Sequence, residues 1–149
     1  MILLDTNFIV YHLHKVEPYA TKIKGILLRE ADLAISLRIL DEILFTLIRM
    51  EAWRKLDIRK LSELREHVRK YGLSSFNKTI RSVVEFIQSL DITVLEDRGS
   101  MDEIVETMQK YSLLPGDALI AVTCKHHSIT TIATFDEDFK RIEWLKVIP

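Results

Sequence analysis

Met1-Ile2-Leu3-Leu4-Asp5-Thr6-Asn7-Phe8-Ile9-Val10 joins two apolar runs through a single acid. The first run favours a buried strand, and the second, which continues to Leu13, favours a helix. Asp5 is therefore expected where a strand ends and a helix begins. A helix N-cap is the ordinary structural role of an aspartate at such a junction, and it stands as the alternative to any chemical role.

Short apolar runs alternate with longer helical segments along the rest of the sequence. Further runs that favour strands are residues 33–35, 92–95, 131–134 and 144–148. Between them lie segments with apolar residues at helical spacing, at 61–71 and 80–90. Because parallel neighbours need long crossover connections, this alternation predicts an α/β fold with a central parallel β-sheet of about five strands flanked by helices.

The composition favours one domain over residues 1–149, with a basic helical region at about 49–90. The 149 residues are 48% apolar, which is enough for a core. No run reaches the roughly 20 apolar residues of a bilayer span, and residues 1–4 are too short for a signal peptide's apolar segment. The only cysteine, Cys124, excludes an internal disulfide and a multi-cysteine zinc site. We expect no membrane association and a cytoplasmic location.

Charges are unevenly distributed although the net charge is −1. Residues 49–70 hold eight Lys or Arg and four acids, whereas residues 92–149 hold ten acids and six bases. Lys and Arg supply most of the attraction between proteins and phosphate groups. Arg49, Arg54 and Lys55 are therefore candidate nucleic-acid contacts. The alternative is a solvated helix face whose charges pair with one another.

Acids recur after strands and at helix starts in distant parts of the chain. Glu42 lies in an apolar helical segment, where a carboxylate is costly unless a cation or a donor meets it. Asp117 begins an apolar helix, and Asp136 and Asp138 directly follow a strand. Taken singly, each could be a surface ion pair or an acid favoured by a helix dipole. Because ligands bind at the carboxyl ends of parallel strands, their joint occurrence predicts one acidic pocket.

An acidic pocket without histidine or cysteine suits a hard cation. Carboxylate oxygens are the ligands that Mg²⁺ and Mn²⁺ prefer. One or two such ions can activate a water molecule and neutralise the leaving oxygen of a phosphodiester. We therefore predict Mg²⁺ or Mn²⁺ as the cofactor and phosphodiester hydrolysis as the reaction.

Four segments together resemble the motifs of the PIN-domain ribonucleases, in the family's order, from residue 3 to about 139. They are Leu3-Leu4-Asp5-Thr6-Asn7, residues 36–42, Pro115-Gly116-Asp117-Ala118-Leu119-Ile120-Ala121 and Ala133-Thr134-Phe135-Asp136-Glu137-Asp138-Phe139. The resemblance implies that Asp5, Glu42, Asp117 and Asp136 form a catalytic, metal-binding quartet. It also implies that Thr6, Asn7 and Thr134 support these acids and that Asp138 substitutes for or assists Asp136.

The small size is similar to that of VapC-type toxins and archaeal PIN proteins. This resemblance implies a Mg²⁺- or Mn²⁺-dependent endoribonuclease acting on single-stranded or structured RNA, as the toxin of a VapBC-type pair with an antitoxin partner. The amphipathic helices within 61–90, together with related small PIN proteins, favour a homodimer.

Other functions stay open beside the toxin. One is an RNA-processing or decay nuclease without an antitoxin, and another is a non-catalytic RNA-binding PIN module whose acids only cap helices. A phosphotransfer domain with a phosphorylated Asp5 is disfavoured. Haloacid-dehalogenase-like enzymes would have a second aspartate where this chain has Asn7, and receiver domains would have paired acids after the first strand.

Overall fold

The computed structural model describes residues 1–28 and 32–149. The strands are β1 Ile2–Leu4, β2 Leu33–Ser36, β3 Thr93–Leu95, β4 Thr131–Ala133 and β5 Lys146–Ile148. The helices are α1 Thr6–Leu13, α2 Tyr19–Leu27, α3 Leu37–Leu56, α4 Leu61–Tyr71, α5 Asn77–Ser89, α6 Met101–Tyr111 and α7 Pro115–His126. Two short 3₁₀ helices span Ser74–Phe76 and Glu137–Arg141.

The chain forms two compact units. The first contains Met1–Leu40 and Ile92–Pro149, and the second contains Asp41–Asp91. All five strands belong to the first unit, whereas α4 and α5 belong to the second, and α3 continues from the first into the second. The basic helical region predicted at about 49–90 falls in the second unit. The expectation of one domain over residues 1–149 stays a prediction.

The first unit is built on a parallel sheet with β1 at its centre. The strand order is β3-β2-β1-β4-β5, and every neighbouring pair is parallel. Leu3 pairs with Ala34 on one side and with Ile132 on the other, and all three are fully buried. Such burial is typical of parallel strands covered on both faces. The α/β class and the five predicted strands are confirmed, with ends that differ by at most two residues.

The strands of this sheet run into the segments that carry several of the predicted acids. Asp5 follows β1, and its backbone N donates a hydrogen bond to Ala133 O at the end of β4 (3.0 Å). β2 ends at Ser36, whose buried hydroxyl accepts from Ile39 N (3.2 Å) in the first turn of α3. Parallel pairing therefore places the ends of β1 and β4 together at one edge, as the sequence predicts.

The packing of α6 against α7 constrains the segment that carries Asp117. Several α7 side chains are buried, among them Ala118, Ile120, Ala121, Val122 and Cys124. Gly99 passes close to this helix with φ +137°, and a Cβ there would lie 2.3 Å from Val122 Cγ1. Only glycine tolerates both conditions. α7 is therefore closely packed around Val122, in the middle of the helix.

The second unit has an apolar cluster of its own. Ala52, Leu64 and Phe76 are buried, and Ile48, Ile58, Leu61, Val68 and Ile80 pack against them. These residues include much of the helical periodicity on which the predicted homodimer rests. Because the second unit buries part of this apolar surface in its own cluster, less of it is exposed for a dimer interface. The homodimer stays a prediction.

α3, with 20 residues, is the longest helix described. It carries charged side chains from Arg38 to Lys55. No helix within residues 1–28 and 32–149 is both long and apolar enough to cross a membrane.

Candidate metal centre

Asp5 lies at the junction of β1 and α1, as the sequence predicts, and is only 6% exposed. Its Oδ1 accepts a hydrogen bond from Thr6 N (2.7 Å), which makes it the N-cap of α1. Its Oδ2 accepts a second hydrogen bond from Thr134 Oγ1 (2.6 Å). Asp5 therefore has the structural role of an N-cap, which was the alternative to a chemical role. The bond to Thr134 goes beyond capping, because it ties the carboxylate to the end of β4.

Thr134 joins two of the predicted site acids and is 1% exposed. A hydroxyl has one proton and two acceptor lone pairs. Thr134 donates that proton to Asp5 and accepts from Asp136 N (2.9 Å) and Asn7 Nδ2 (3.2 Å). Asn7 Oδ1 in turn accepts from Phe135 N (3.1 Å). The predicted supports Asn7 and Thr134 thus belong to one network with Asp5 and Asp136.

Asp117, Asp136 and Asp138 each bring one carboxylate oxygen to within 4.8 Å of the other two, and all three are half-buried. Asp117 lies in the first turn of α7, and the other two lie at the turn after β4. Asp138 N donates to Asp136 Oδ1 (2.8 Å), which holds these neighbours together. Carboxylates this close repel one another unless a positive charge lies between them. This all-oxygen donor set fits a hard divalent cation.

The structure places the other predicted site residues as follows. Asp138, predicted to substitute for or assist Asp136, lies in the same group as Asp136 and Asp117. The Thr134 hydroxyl connects Asp5 to Asp136. Glu42 is half-buried on α3 within the second unit. Its membership of the quartet stays a prediction.

Cys124 lies near Asp5 although the sequence suggests no role for it there. The thiol is fully buried. Burial raises the pKa of Cys124 to about 12, and the carboxylate of Asp5 adds to the rise. The thiol therefore stays protonated and inert.

Arg141 also lies beside the acids, and it was not predicted from the sequence. Its guanidinium forms an ion pair with Asp138 Oδ1 (2.7 Å). The three-residue spacing from Asp138 is a signal that could have identified it, since such a spacing brings charges together within a helical turn.

The basic residues predicted for nucleic-acid binding lie on α3. Arg54 pairs with Glu51 (2.9 Å), and Lys55 pairs with the same carboxylate. Arg49 lies over the ring of Phe45, 5.8 Å from its centroid. An open groove of about 540 Å³ is lined by Phe45, Thr46, Arg49, Met50, Trp53, Ile58 and Arg59. The groove combines aromatic surface with positive charge, and a nucleic-acid role for Arg49, Arg54 and Lys55 stays a prediction.

The chain belongs to the PIN-domain family, whose pattern it matches over residues 2–145. Ribonuclease VapC2 of Methanocaldococcus jannaschii is 34% identical over 159 aligned positions, which cover 99% of this chain and 92% of that protein. The resemblance inferred from the four motifs is confirmed.

Solved structures share the fold. VapC20 of Mycobacterium tuberculosis, a sarcin-ricin loop cleaving toxin, superimposes with a TM-score of 0.63 at 14% identity over 100% of both chains. A chain of a toxin-antitoxin complex from Klebsiella pneumoniae gives a TM-score of 0.58 at 18% identity, over 100% of this chain and 97% of that one. At such identities the likeness concerns the fold alone.

Proposed function

We propose that this protein is a divalent-metal-dependent endoribonuclease that hydrolyses phosphodiester bonds in single-stranded or structured RNA. The observation that carries the proposal is the convergence of Asp117, Asp136 and Asp138 within 4.8 Å in a PIN-domain chain. A full-length relative that is 34% identical is named a ribonuclease, which supports the same reaction.

We propose the predicted quartet Asp5, Glu42, Asp117 and Asp136 as the ligands. Asp138, which lies in one group with Asp117 and Asp136, is proposed to substitute for or assist Asp136. Because every proposed donor is a carboxylate oxygen, we propose Mg²⁺ or Mn²⁺ rather than a softer metal. When bound, such an ion activates water and offsets charge on the scissile phosphate.

The chain's own side chains hold the acids in position. Thr134 donates to Asp5 Oδ2 while Thr6 N donates to Oδ1, so both carboxylate oxygens are oriented by fixed donors. Asn7 steadies the Thr134 hydroxyl and the backbone at Phe135. Hydrogen-bonded partners of metal ligands orient them and tune their affinity. We therefore propose Thr6, Asn7 and Thr134 as supports of the centre.

We propose that RNA is contacted by Arg49, Arg54 and Lys55. Arg49 lies in the groove on α3, and the other two follow along the same helix. The proposal rests on the positive charge of these residues, because neutralisation of phosphate groups supplies most of the attraction to RNA. The neighbouring ring of Trp53, which is 59% exposed, offers a face on which a base can stack.

We propose an antitoxin protein as the physiological partner. The toxin-antitoxin complex of similar fold supports this proposal, and the groove on α3 offers a surface for it. The groove's aromatic lining and its two guanidinium groups suit a segment with apolar and acidic side chains. Such a segment would cover Arg49 and compete with RNA.

A homodimer is proposed as well. Tyr71, Leu73 and Val84 of the second unit remain exposed after the apolar cluster has formed, and they are the surface left for it. Sedimentation equilibrium should give twice the 17.4 kDa of one chain, and a single 17.4 kDa species at micromolar concentration would reject the dimer. The free, buried Cys124 accords with the proposed cytoplasmic location.

Cleavage of a labelled single-stranded RNA tests the proposed reaction. Wild-type protein should cut with Mn²⁺ or Mg²⁺ and lose activity with excess EDTA. Asp117→Asn should reduce the cleavage rate by about 100-fold or more, because it removes a proposed ligand charge. Circular dichroism should show that this variant keeps its fold.

Asp102→Asn is the matched control, since Asp102 is an exposed acid in the first turn of α6 within the same unit. It should cleave like wild type. Cleavage by rigorously chelated wild type, or by Asp117→Asn at the wild-type rate, would reject the metal-dependent mechanism. RNA binding without any cleavage would favour the non-catalytic module, and cleavage without an antitoxin-binding activity would favour a processing or decay enzyme.

A further inference from the structure

Arg141 makes two contacts that point in different directions. Its Nη1 donates a hydrogen bond to the backbone O of Ser112 (2.7 Å). Its Nη2 lies 2.7 Å from Asp138 Oδ1. A guanidinium can hold both because its donors form a rigid planar fork. One side chain therefore links two segments that are far apart in the sequence.

Both linked segments lead to acids of the candidate metal centre. Asp138 belongs to the group itself. Ser112 is the left-handed residue that ends α6, with φ 53° and ψ 47°. From there the chain runs through Leu113 and Leu114 into Pro115, the first residue of α7, and then to Asp117. Arg141 therefore contacts Asp138 itself and also the segment that leads to Asp117.

We infer that Arg141 is a positioning residue of the metal centre, which holds Asp138 and the segment before Asp117 at the separation that binds a cation. This inference rests on the proposed function. Arg141 touches neither metal nor substrate in this role. It acts through the carboxylate of Asp138 and through the backbone that leads to Asp117.

A plain surface ion pair would behave differently. The side chains of Arg141 and Asp138 are 48% and 39% exposed, so the pair alone contributes little to stability. A positive charge beside a cation site also repels the cation. If Arg141 were only a nearby charge, its removal would leave Mn²⁺ affinity unchanged or would increase it. If Arg141 positions the acids, its removal should instead lower the affinity for Mn²⁺.

Calorimetric titration of the full chain with Mn²⁺ shows whether the affinity falls or rises. Arg141→Gln should weaken Mn²⁺ binding about tenfold, as expected when a partner of a metal ligand is lost. Arg141→Lys keeps the charge but not the fork, so it should recover only part of the affinity. In RNA cleavage, the Mn²⁺ concentration for half-maximal rate should rise, while the rate at saturating Mn²⁺ should fall much less.

Lys140→Gln is the matched control. Lys140 is the neighbouring residue in the same 3₁₀ helix, and it pairs with the exposed Glu137. The substitution removes the same charge from the same turn without touching Asp138 or Ser112. It should bind Mn²⁺ as tightly as wild type, or more tightly. Asp138→Asn with and without Arg141→Gln shows whether the effect of Arg141 passes through Asp138, because the second change should then add less than it does alone.

The outcomes separate the inference from the proposed function. If wild type binds Mn²⁺, Asp117→Asn does not, and Arg141→Gln binds like wild type, the metal centre stands and the inference about Arg141 is wrong. Equal losses in Arg141→Gln and Lys140→Gln would also overturn it, because Lys140 pairs with Glu137 and the loss could then not be assigned to the contacts of Arg141 with Asp138 and Ser112. If wild type itself binds no Mn²⁺, both the metal centre and the inference fail.

Discussion

The two units differ in how some of their acidic side chains are grouped. In the second unit, Glu51 accepts from Arg54 and from Lys55 on the same helix. In the first unit, three carboxylates from two separate segments converge within 4.8 Å. Charges that meet an opposite partner within a helical turn satisfy one another in solvent. Three carboxylates this close repel one another, and a cation bound beside them, in addition to the Arg141 guanidinium that pairs with Asp138, would reduce that repulsion.

The contrast extends to how the charges are connected. The half-buried Glu51 forms a local group with the exposed Arg54 and Lys55 on one helix. The acids of the first unit are linked by shared donors, with Thr134 between Asp5 and Asp136. Residues in one network respond to substitution non-additively, whereas independent pairs add. Changes in the first unit should therefore affect the whole centre, and changes in the second should remain local.

The largest expected effect follows from Thr134→Val, which keeps the shape and removes the hydroxyl. Asp5 Oδ2 loses a donor in a buried bond, and Asp136 N and Asn7 Nδ2 lose their acceptor in two part-buried bonds. We expect the free energy of unfolding to fall by about 2–3 kcal/mol and Mn²⁺ affinity to fall about 10- to 100-fold. Urea denaturation and calorimetry measure the two quantities.

Two substitutions act as controls for this change. Thr134→Ser keeps the hydroxyl and should retain most of the Mn²⁺ affinity. Thr123→Val removes another buried hydroxyl of the first unit, which accepts from Arg98 N (3.1 Å). It should lower stability while leaving Mn²⁺ affinity nearly unchanged. If Thr123→Val weakened Mn²⁺ binding as much as Thr134→Val does, the hydroxyl network would not be specific to the acids.

A smaller effect is expected from the basic residues of the second unit. Arg49→Gln, Arg54→Gln and Lys55→Gln should each weaken binding of single-stranded RNA and reduce the slope of log affinity against log salt by about 0.7. Fluorescence anisotropy in EDTA separates this binding from cleavage. Lys22→Gln, at an exposed position of α2, should leave the slope unchanged. A slope that does not change in any of the three variants would remove them from the RNA surface.

The smallest effect concerns Glu51. A hydrogen bond from Lys55, supported by Arg54, holds the pKa of Glu51 below its ordinary value of 4.5. The stability that this pairing contributes is full above pH 4.5 and is lost as the pH falls through the lowered value of the folded state. Glu51→Gln should cost less than about 1 kcal/mol near neutral pH and progressively less as the pH falls through the lowered pKa of the folded state. An equal cost at neutral and at acidic pH, measured by urea denaturation, would show that packing rather than charge is responsible.

The strands were predictable because their signals are local. The apolar runs before Asp5 and before Thr134 are short and uninterrupted, and parallel pairing of such runs places their carboxyl ends together. Ser36, by contrast, was not expected to extend β2. A serine carries no strand signal, and its place in β2 follows from its pairing with Leu95 of β3. Its hydroxyl accepts a hydrogen bond from Ile39 N at the start of α3.

The site was predictable in its acids and less so in its connections. Asp117 and Asp136 were identified from their positions after a Pro-Gly turn and after a strand. Asp138 could be proposed only as a substitute for or an assistant to Asp136, because adjacent acids in a turn cannot be told apart by pattern. Arg141 was overlooked because a basic residue near the end of a turn has an ordinary explanation in the helix dipole.

The amino-acid sequence by itself determined the class of fold, the alternation of strands and helices, and the carboxylate chemistry of the predicted pocket. These properties depend on periodicity and residue type within short windows of sequence. Only the tertiary structure decided that the Thr134 hydroxyl bridges Asp5 and Asp136 and that Arg141 reaches both Asp138 and Ser112. The physical reason is that a hydrogen bond or an ion pair depends on separations of a few ångströms between atoms. Residues as far apart as the 129 positions between Asp5 and Thr134 acquire such separations only when the sheet and its helices pack.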